Sequence, residues 1–315
     1  MDREDRLDAL VAPLRADVVS GASHVAELAA EVLRRAAIRM PAGSSEELRW
    51  TMGQVAARVL EAQPAMAPLV SLVRDVLDAV ENCEDVEGGR HAAARAAEAF
   101  RTQLNTRSRA VAERAAATIP PGGVIATLSS SGTVRMALLA NGRDHGHRII
   151  CFESRPMFEG RLLAKALADA RIPVTVAIDA SAHTLIRECD LVFLGADSIG
   201  DAGVVNKIGS AALASAASDQ GVPVYILADE TKILPPGFPQ PVDDDRPGSE
   251  IWSAPDGVEV WNRYFEIVPL ERITRVLTES GTLEPVELER FRGGLRFPRG
   301  LSSWAAGRAR PPQDV

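Results

Sequence analysis

The sequence predicts an α/β fold in which an N-terminal helical domain precedes a Rossmann-like, doubly wound parallel sheet. Three observations carry this. Up to about residue 118, apolar side chains recur at the 3.6-residue helical spacing. The run Pro120-Pro121-Gly122-Gly123 then stops any helix. Beyond it, short continuous apolar runs alternate with helical stretches, the pattern of parallel strands covered on both faces by crossover helices.

The elements follow in order. Val25, Leu28, Ala29, Val32, Leu33 and Ala36 share one helix face. Ser44 and Glu47 are spaced as a capping box ahead of a helix carrying Leu48, Met52, Val55 and Val59. Leu69, Leu72, Val73, Val76, Leu77 and Val80 form a third stripe, and the Ala-rich segment from about Gly89 to Ala117 a fourth. Strands are expected at Val124–Leu128, Arg148–Phe152, Val174–Ile178, Leu191–Leu194 and Val224–Leu227, with Pro173 and Pro223 at strand starts, where proline is tolerated. The helices between them are expected at Thr133–Ala140, Glu159–Ala170, Ala182–Arg187 and Lys207–Gln220. Residues 235–257 read as a loop, and Trp261–Leu277 as a further strand and helix. The expected division is a helical domain over 1–120, a Rossmann-like domain over 121–300 and a flexible tail over 301–315.

Composition narrows the function classes. A chain of 315 residues suggests about two domains at roughly 150 residues each. With 46% hydrophobic but only 4% aromatic residues, the core must be built from Ala, Val, Leu and Ile. The net charge of −8 argues against direct nucleic-acid binding, which needs a basic footprint to release counterions. The charged start MDREDRLDAL is not a secretory signal, and no apolar run reaches the ~20 residues of a membrane span, so a cytoplasmic protein is expected. Cys83, Cys151 and Cys189 show no paired spacing and read as reduced thiols; they form no zinc pattern with the five histidines.

In an open parallel sheet, ligands bind beyond the carboxyl ends of the strands. Those positions carry Ser129-Ser130-Ser131-Gly132, Glu153-Ser154-Arg155, Asp179, Gly195-Ala196-Asp197 and Asp229-Glu230-Thr231-Lys232. The serine run opens a helix, where hydroxyls and free N–H groups suit a phosphate. It is neither a P-loop nor a dinucleotide fingerprint, and no G-x-S-x-G supports a hydrolase triad. Asn206-Lys207 before Gly209 is placed to hold a second anionic group at another helix start. Asp197 follows an apolar strand. Desolvation there would raise its pKa toward acid–base duty, whereas backbone hydrogen bonds would lower it.

Six motifs then resemble the superfamily that comprises the alpha, beta and delta subunits of translation initiation factor 2B, methylthioribose-1-phosphate isomerase and ribose-1,5-bisphosphate isomerase. They are TLSSSGTV (127–134), ESRPMFEGRLLAKAL (153–167), IPVTVAIDASA (172–182), GADSIGDAGVVNKIGS (195–210), PVYILADETKI (223–233) and NRYFEIVP (262–269). Ser20-Gly21-Ala22-Ser23 and Gln63-Pro64-Ala65-Met66 extend the resemblance into the helical half.

The resemblance implies conversion of an aldose 1-phosphate, opened from its ring, into a ketose 1-phosphate. It implies Asp197 as acid/base and a cysteine after the first strand, where Ser129 stands instead. A serine hydroxyl is a poorer proton carrier than a thiol, so Ser129 would orient a substrate hydroxyl. Ser20, Gly21, Ser130, Ser131, Gly132, Arg155, Glu159, Asn206 and Lys207 are expected to bind sugar hydroxyls and phosphate. Glu159 stands where the family often has glutamine, and Ser20 and Gln63 replace two phosphate-gripping arginines. No metal or redox cofactor is implied. The ligand is expected to be a phosphorylated sugar or a nucleotide, and the assembly a homodimer or higher homo-oligomer. The rival reading is a non-catalytic sensor or assembly subunit, since the initiation-factor subunits also lack the cysteine.

Overall fold

The computed structural model describes residues 3–17, 20–81, 83–140, 146–242 and 245–295. Among them, five helices come first: α1 (Arg3–Ala16), α2 (Ala22–Arg39), α3 (Ser45–Ala62), α4 (Pro68–Glu81) and α5 (Val86–Ala116). The stripes foreseen in the sequence are their buried faces: Val25, Ala29 and Leu33 on α2, Met52, Val55 and Val59 on α3, Leu69, Leu72 and Val76 on α4. Each valine, leucine or methionine among them contributes roughly 1.5–3 kcal/mol when withdrawn from water. Ser44 caps α3 by accepting the Glu47 N–H at 3.1 Å. Helix α1 was not anticipated. Its buried Leu7, Val11 and Leu14 recur at helical spacing but are masked by a strongly charged run.

Helix α5, 31 residues long, belongs to two cores. Ala93, Ala97, Phe100 and Leu104 pack with the other helices, while Val111, Ala112 and Ala115 pack beneath the sheet. One continuous helix thus joins the helical layer to the α/β layer.

The second half runs β1 (Val124–Leu128), α6 (Gly132–Ala140), β2 (Arg148–Phe152), α7 (Glu159–Asp169), β3 (Val174–Ala177), α8 (Ala182–Leu185), β4 (Leu191–Leu194), β5 (Ser198–Gly200), β6 (Gly203–Lys207), α9 (Ser210–Asp219), β7 (Val224–Leu227), β8 (Phe265–Val268), β9 (Arg275–Leu277), β10 (Thr282–Leu283) and α10 (Pro285–Gly294). A seven-stranded sheet has the order β10-β9-β7-β4-β1-β2-β3. All its pairings are parallel except β10 on β9. Alternate residues feed opposite cores. Ile125, Ile149, Cys151, Leu191 and Phe193 face α5, α6 and α7; Ala126, Ile150, Phe152, Val192 and Leu194 face α8, α9 and α10. β1 has β2 on one side and β4 on the other, so the order reverses between β1 and β4. A crevice opens there at the carboxyl ends of the strands.

Several expectations need correction. Lys207 does not start a helix: it ends β6, and α9 begins at Ser210. The stretch 182–187 is one short α-turn flanked by two 3₁₀ turns, since four residues are too few to extend a helix. Trp261–Leu277 supplies two strands, β8 and β9, with only a 3₁₀ turn between them. β8 joins β5 and β6 in a separate antiparallel three-stranded sheet that the strand pattern did not announce. Helix α10 was also unforeseen. The tail assigned to 301–315, and residues 296–300 before it, lie outside the described residues.

Candidate functional site

The crevice opens into a cavity of about 490 Å³, walled on one side by the ends of β1 and β4 and on the other by the start of α2. Ser129, Ser130, Ser131 and Gly132 line it at the entrance to α6. Ser129 takes a left-handed backbone conformation, φ 69°, which costs a non-glycine residue roughly 1–3 kcal/mol and is characteristic of functional turns. Ser131 caps α6 through its carbonyl, which accepts the Arg135 N–H at 2.9 Å. Opposite it lies Gly195; a Cβ there would stand 2.8 Å from that of Ser131, so only glycine lets β4 approach the serine turn.

Asp197 sits at the cavity floor, 7% exposed. Its backbone is clamped from two directions: its N–H donates to Val205 on β6 at 2.9 Å, and its carbonyl accepts the Ala67 N–H at 3.0 Å. Its carboxylate accepts the Ala22 N–H at the start of α2. Burial pushes the Asp197 carboxyl up to about 6; Lys232 and Lys207 pull it back, and Glu159 adds to the rise. Desolvation therefore outweighs the backbone hydrogen bond, which settles the competition the sequence left open.

Asn206 and Lys207 reach the same floor from β6. Lys207 forms a buried ion pair with Glu159, the first residue of α7, their side chains 7% and 3% exposed. Removing one partner of such a pair typically costs 3–5 kcal/mol, because the other is left as an unpaired buried charge. The second Glu159 oxygen, Oε2, is buried and has no hydrogen-bond partner. Asn206 Nδ2 donates to Ser210 Oγ at 3.0 Å. The α9 N-terminus is not an open anion site. Glu266 on β8 accepts the Ala211 N–H at 2.8 Å, and the N–H groups of Gly209 and Ser210 as well.

Ser20 and Gly21 line the α2 wall, and Glu159 lines the floor. Two residues fall elsewhere. Arg155 does not line the cavity: its amide and that of Ser154 donate to Asp179 at 2.8 Å each, which turns the chain outward, and its guanidinium lies over the Phe158 ring. Gln63 is structural, since its amide donates to the Leu14 and Asp17 carbonyls at 2.8 and 2.7 Å and so ties α1 to α3. Sequence reasoning named Lys232 at a strand end without giving it a role and passed over Arg135, Ser108 and Thr133; all four line the cavity. Lys232 was visible as a strand-end residue. Ser108, on α5, gave no local signal at all. Ser108 Oγ and Thr133 Oγ1 are buried without hydrogen-bond partners. Among the described residues, no group of three or more His, Cys, Asp or Glu side chains is placed to hold a metal ion, and no helix is long and apolar enough to cross a membrane.

A helical layer set against the switch point of a Rossmann-ordered sheet, enclosing a buried acid beside two lysines, defines a two-layer α/β protein with a polar ligand-sized cavity. The chain belongs to the initiation factor 2 subunit family, whose profile matches residues 18–285. It is 30% identical over 282 residues to the ribose 1,5-bisphosphate isomerase of Archaeoglobus fulgidus, covering 86% of this chain and 88% of that one. To the methylthioribose-1-phosphate isomerase of Gemmatimonas aurantiaca it is 29% identical over 297 residues, 89% and 86% of the two chains. In structure it is similar to the translation initiation factor eIF-2B of Pyrococcus horikoshii OT3, with a TM-score of 0.77, 27% identity and coverage of 89% and 98%.

Proposed function

We propose that this protein isomerises an aldose phosphate to the ketose phosphate, with Asp197 as the acid/base. The observation that carries the reading is the buried Asp197 carboxyl, raised to about 6 on the floor of the switch-point cavity. A group with that pKa is mostly ionised at neutral pH yet accepts a proton readily. In the reaction C2 loses two hydrogens, one from carbon and one from its hydroxyl, and becomes a ketone; one hydrogen arrives at C1 and the other at the ring oxygen as the ring opens. The change is internally balanced. Asp197 takes a proton from one substrate atom and returns it to another. The phosphate docks on the free N–H groups of Ser130–Gly132 at the α6 N-terminus, with Arg135 at the rim. Ser129 and Asn206 orient sugar hydroxyls, and Ser20 and Gly21 close the α2 side. Arg155 has no part in this reading. Homo-oligomerisation belongs to it, and sedimentation of the intact chain checks that.

A second reading is favoured by Ser129 standing where the isomerase resemblance implies cysteine: a subunit that binds the same ligand, or a nucleotide, without turning it over. Ketose formation from ribose 1-phosphate and ribose 1,5-bisphosphate, measured beside calorimetric binding, separates the two. An isomerase loses 10²–10⁴-fold in turnover on Asp197→Asn while keeping its affinity. Binding without turnover, in the wild type and in Ser129→Cys alike, overturns the isomerase reading in favour of the second.

A further inference from the structure

The cavity offers three places where an anion could be held, and the chain's own carboxylates fill two of them. The N-terminus of α2 gives its Ala22 N–H to Asp197. Lys207 is paired with Glu159 inside the floor. The third is the N-terminus of α6, whose first N–H groups have no intrahelical partner and whose entrance faces the cavity beside Arg135. Among the described residues, the buried charges of the floor are two carboxylates, Asp197 and Glu159, against two ammonium groups, Lys207 and Lys232. They sum to zero, so the floor holds no surplus positive charge for a dianion. It does hold unmet polar groups: Glu159 Oε2, Thr133 Oγ1 and Ser108 Oγ are buried without partners. Buried polar atoms need hydrogen bonds, and an ionised carboxylate oxygen can only accept one.

The geometry points to Glu159 as the specificity-determining residue of this cavity. By neutralising Lys207 and presenting an unpartnered acceptor to the floor, it admits a sugar with one phosphate and a free hydroxyl end, and turns away a second phosphate. The inference rests on the sugar-phosphate reading above and narrows it to monophosphates. The single phosphate sits at the α6 entrance, and a sugar hydroxyl donates to Glu159 Oε2. A second phosphate would have to displace Glu159 from Lys207 or face that oxygen directly.

The test uses calorimetric affinities of the intact protein for ribose 1-phosphate and ribose 1,5-bisphosphate. The wild type is expected to bind the monophosphate at least as tightly as the bisphosphate; a wild type that prefers the bisphosphate tenfold or more overturns the proposal without any variant. Glu159→Gln frees Lys207 and is expected to shift the preference about tenfold toward the bisphosphate, the scale of one hydrogen bond to a charged group. Glu159→Gln combined with Lys207→Gln removes the pair together, leaves no lone charge buried, and is expected to show no such shift. An unchanged ratio in Glu159→Gln, or an equal shift in the double variant, removes Glu159 from the role while leaving the sugar-phosphate reading intact. A wild type that binds neither sugar phosphate overturns both.

Discussion

Replacing Asp197 by asparagine should stabilise the protein while it destroys the proposed turnover. Burial raises the Asp197 carboxyl from its ordinary 3.8 to about 6, so ionising it costs more in the folded chain than in the unfolded one. At about 1.4 kcal/mol per tenfold, the gap amounts to roughly 3 kcal/mol at pH 8. The sign follows from proton binding. The folded chain holds this proton more tightly, so the stabilisation is complete below pH 3.8 and is lost as pH rises through 6. Asparagine keeps the size of the side chain and an oxygen for the Ala22 N–H, but carries no charge at any pH. Urea unfolding of both proteins at pH 4, 6 and 8 should show the variant ahead by as much as ~3 kcal/mol at pH 8, less at pH 6, and level near pH 4. A variant no more stable than wild type at pH 8, or an advantage that does not change with pH, would refute the desolvation argument and make Asp197 a structural carboxylate.

Three further outcomes are expected. A Cβ at Gly160 would overlap the Phe152 carbonyl oxygen, so Gly160→Ala should cost at least ~1–3 kcal/mol in thermal or chemical unfolding; a neutral result would mean that α7 shifts freely on β2. Glu266→Ala strips the acceptor from the α9 N-terminus and should lower stability by about 1–2 kcal/mol, an effect that added phosphate or sulfate should partly reverse if the vacated N–H groups then bind an anion. Burial pushes the Cys151 thiol up to about 12 and Cys189 up to about 11, so thiol labelling at pH 8 should modify at most Cys83 quickly in the native protein and all three after denaturation; rapid native labelling of Cys151 would contradict the packing of β2.

Much of the fold was legible because its signals are local. The stripes of α2–α4 and the apolar runs of β1, β2, β4 and β7 each record one neighbour relation, helix face or sheet face, that repeats within the element itself. The strand-end motifs were legible for the same reason, since a parallel sheet delivers its carboxyl ends to one edge whatever the details of packing. Helix α1 and the small sheet of β5, β6 and β8 escaped because charge density hides the first and pairings of three and four residues leave too short a pattern for the second.

The sequence by itself determined which residues could take part at the crevice: the serine turn, Asp197, and the Asn206-Lys207 pair. Only the tertiary structure decided what state they are in. The start of helix α2 lies against Asp197, and the burial of its carboxyl outweighs the hydrogen bond that α2 brings. Glu266, 55 residues beyond the Ala211 N–H that it accepts, takes an anion site the local sequence had left open. Glu159, at the start of α7, neutralises a lysine of the small sheet. Charge compensation depends on distance and dielectric, and neither is a property of neighbours in the chain.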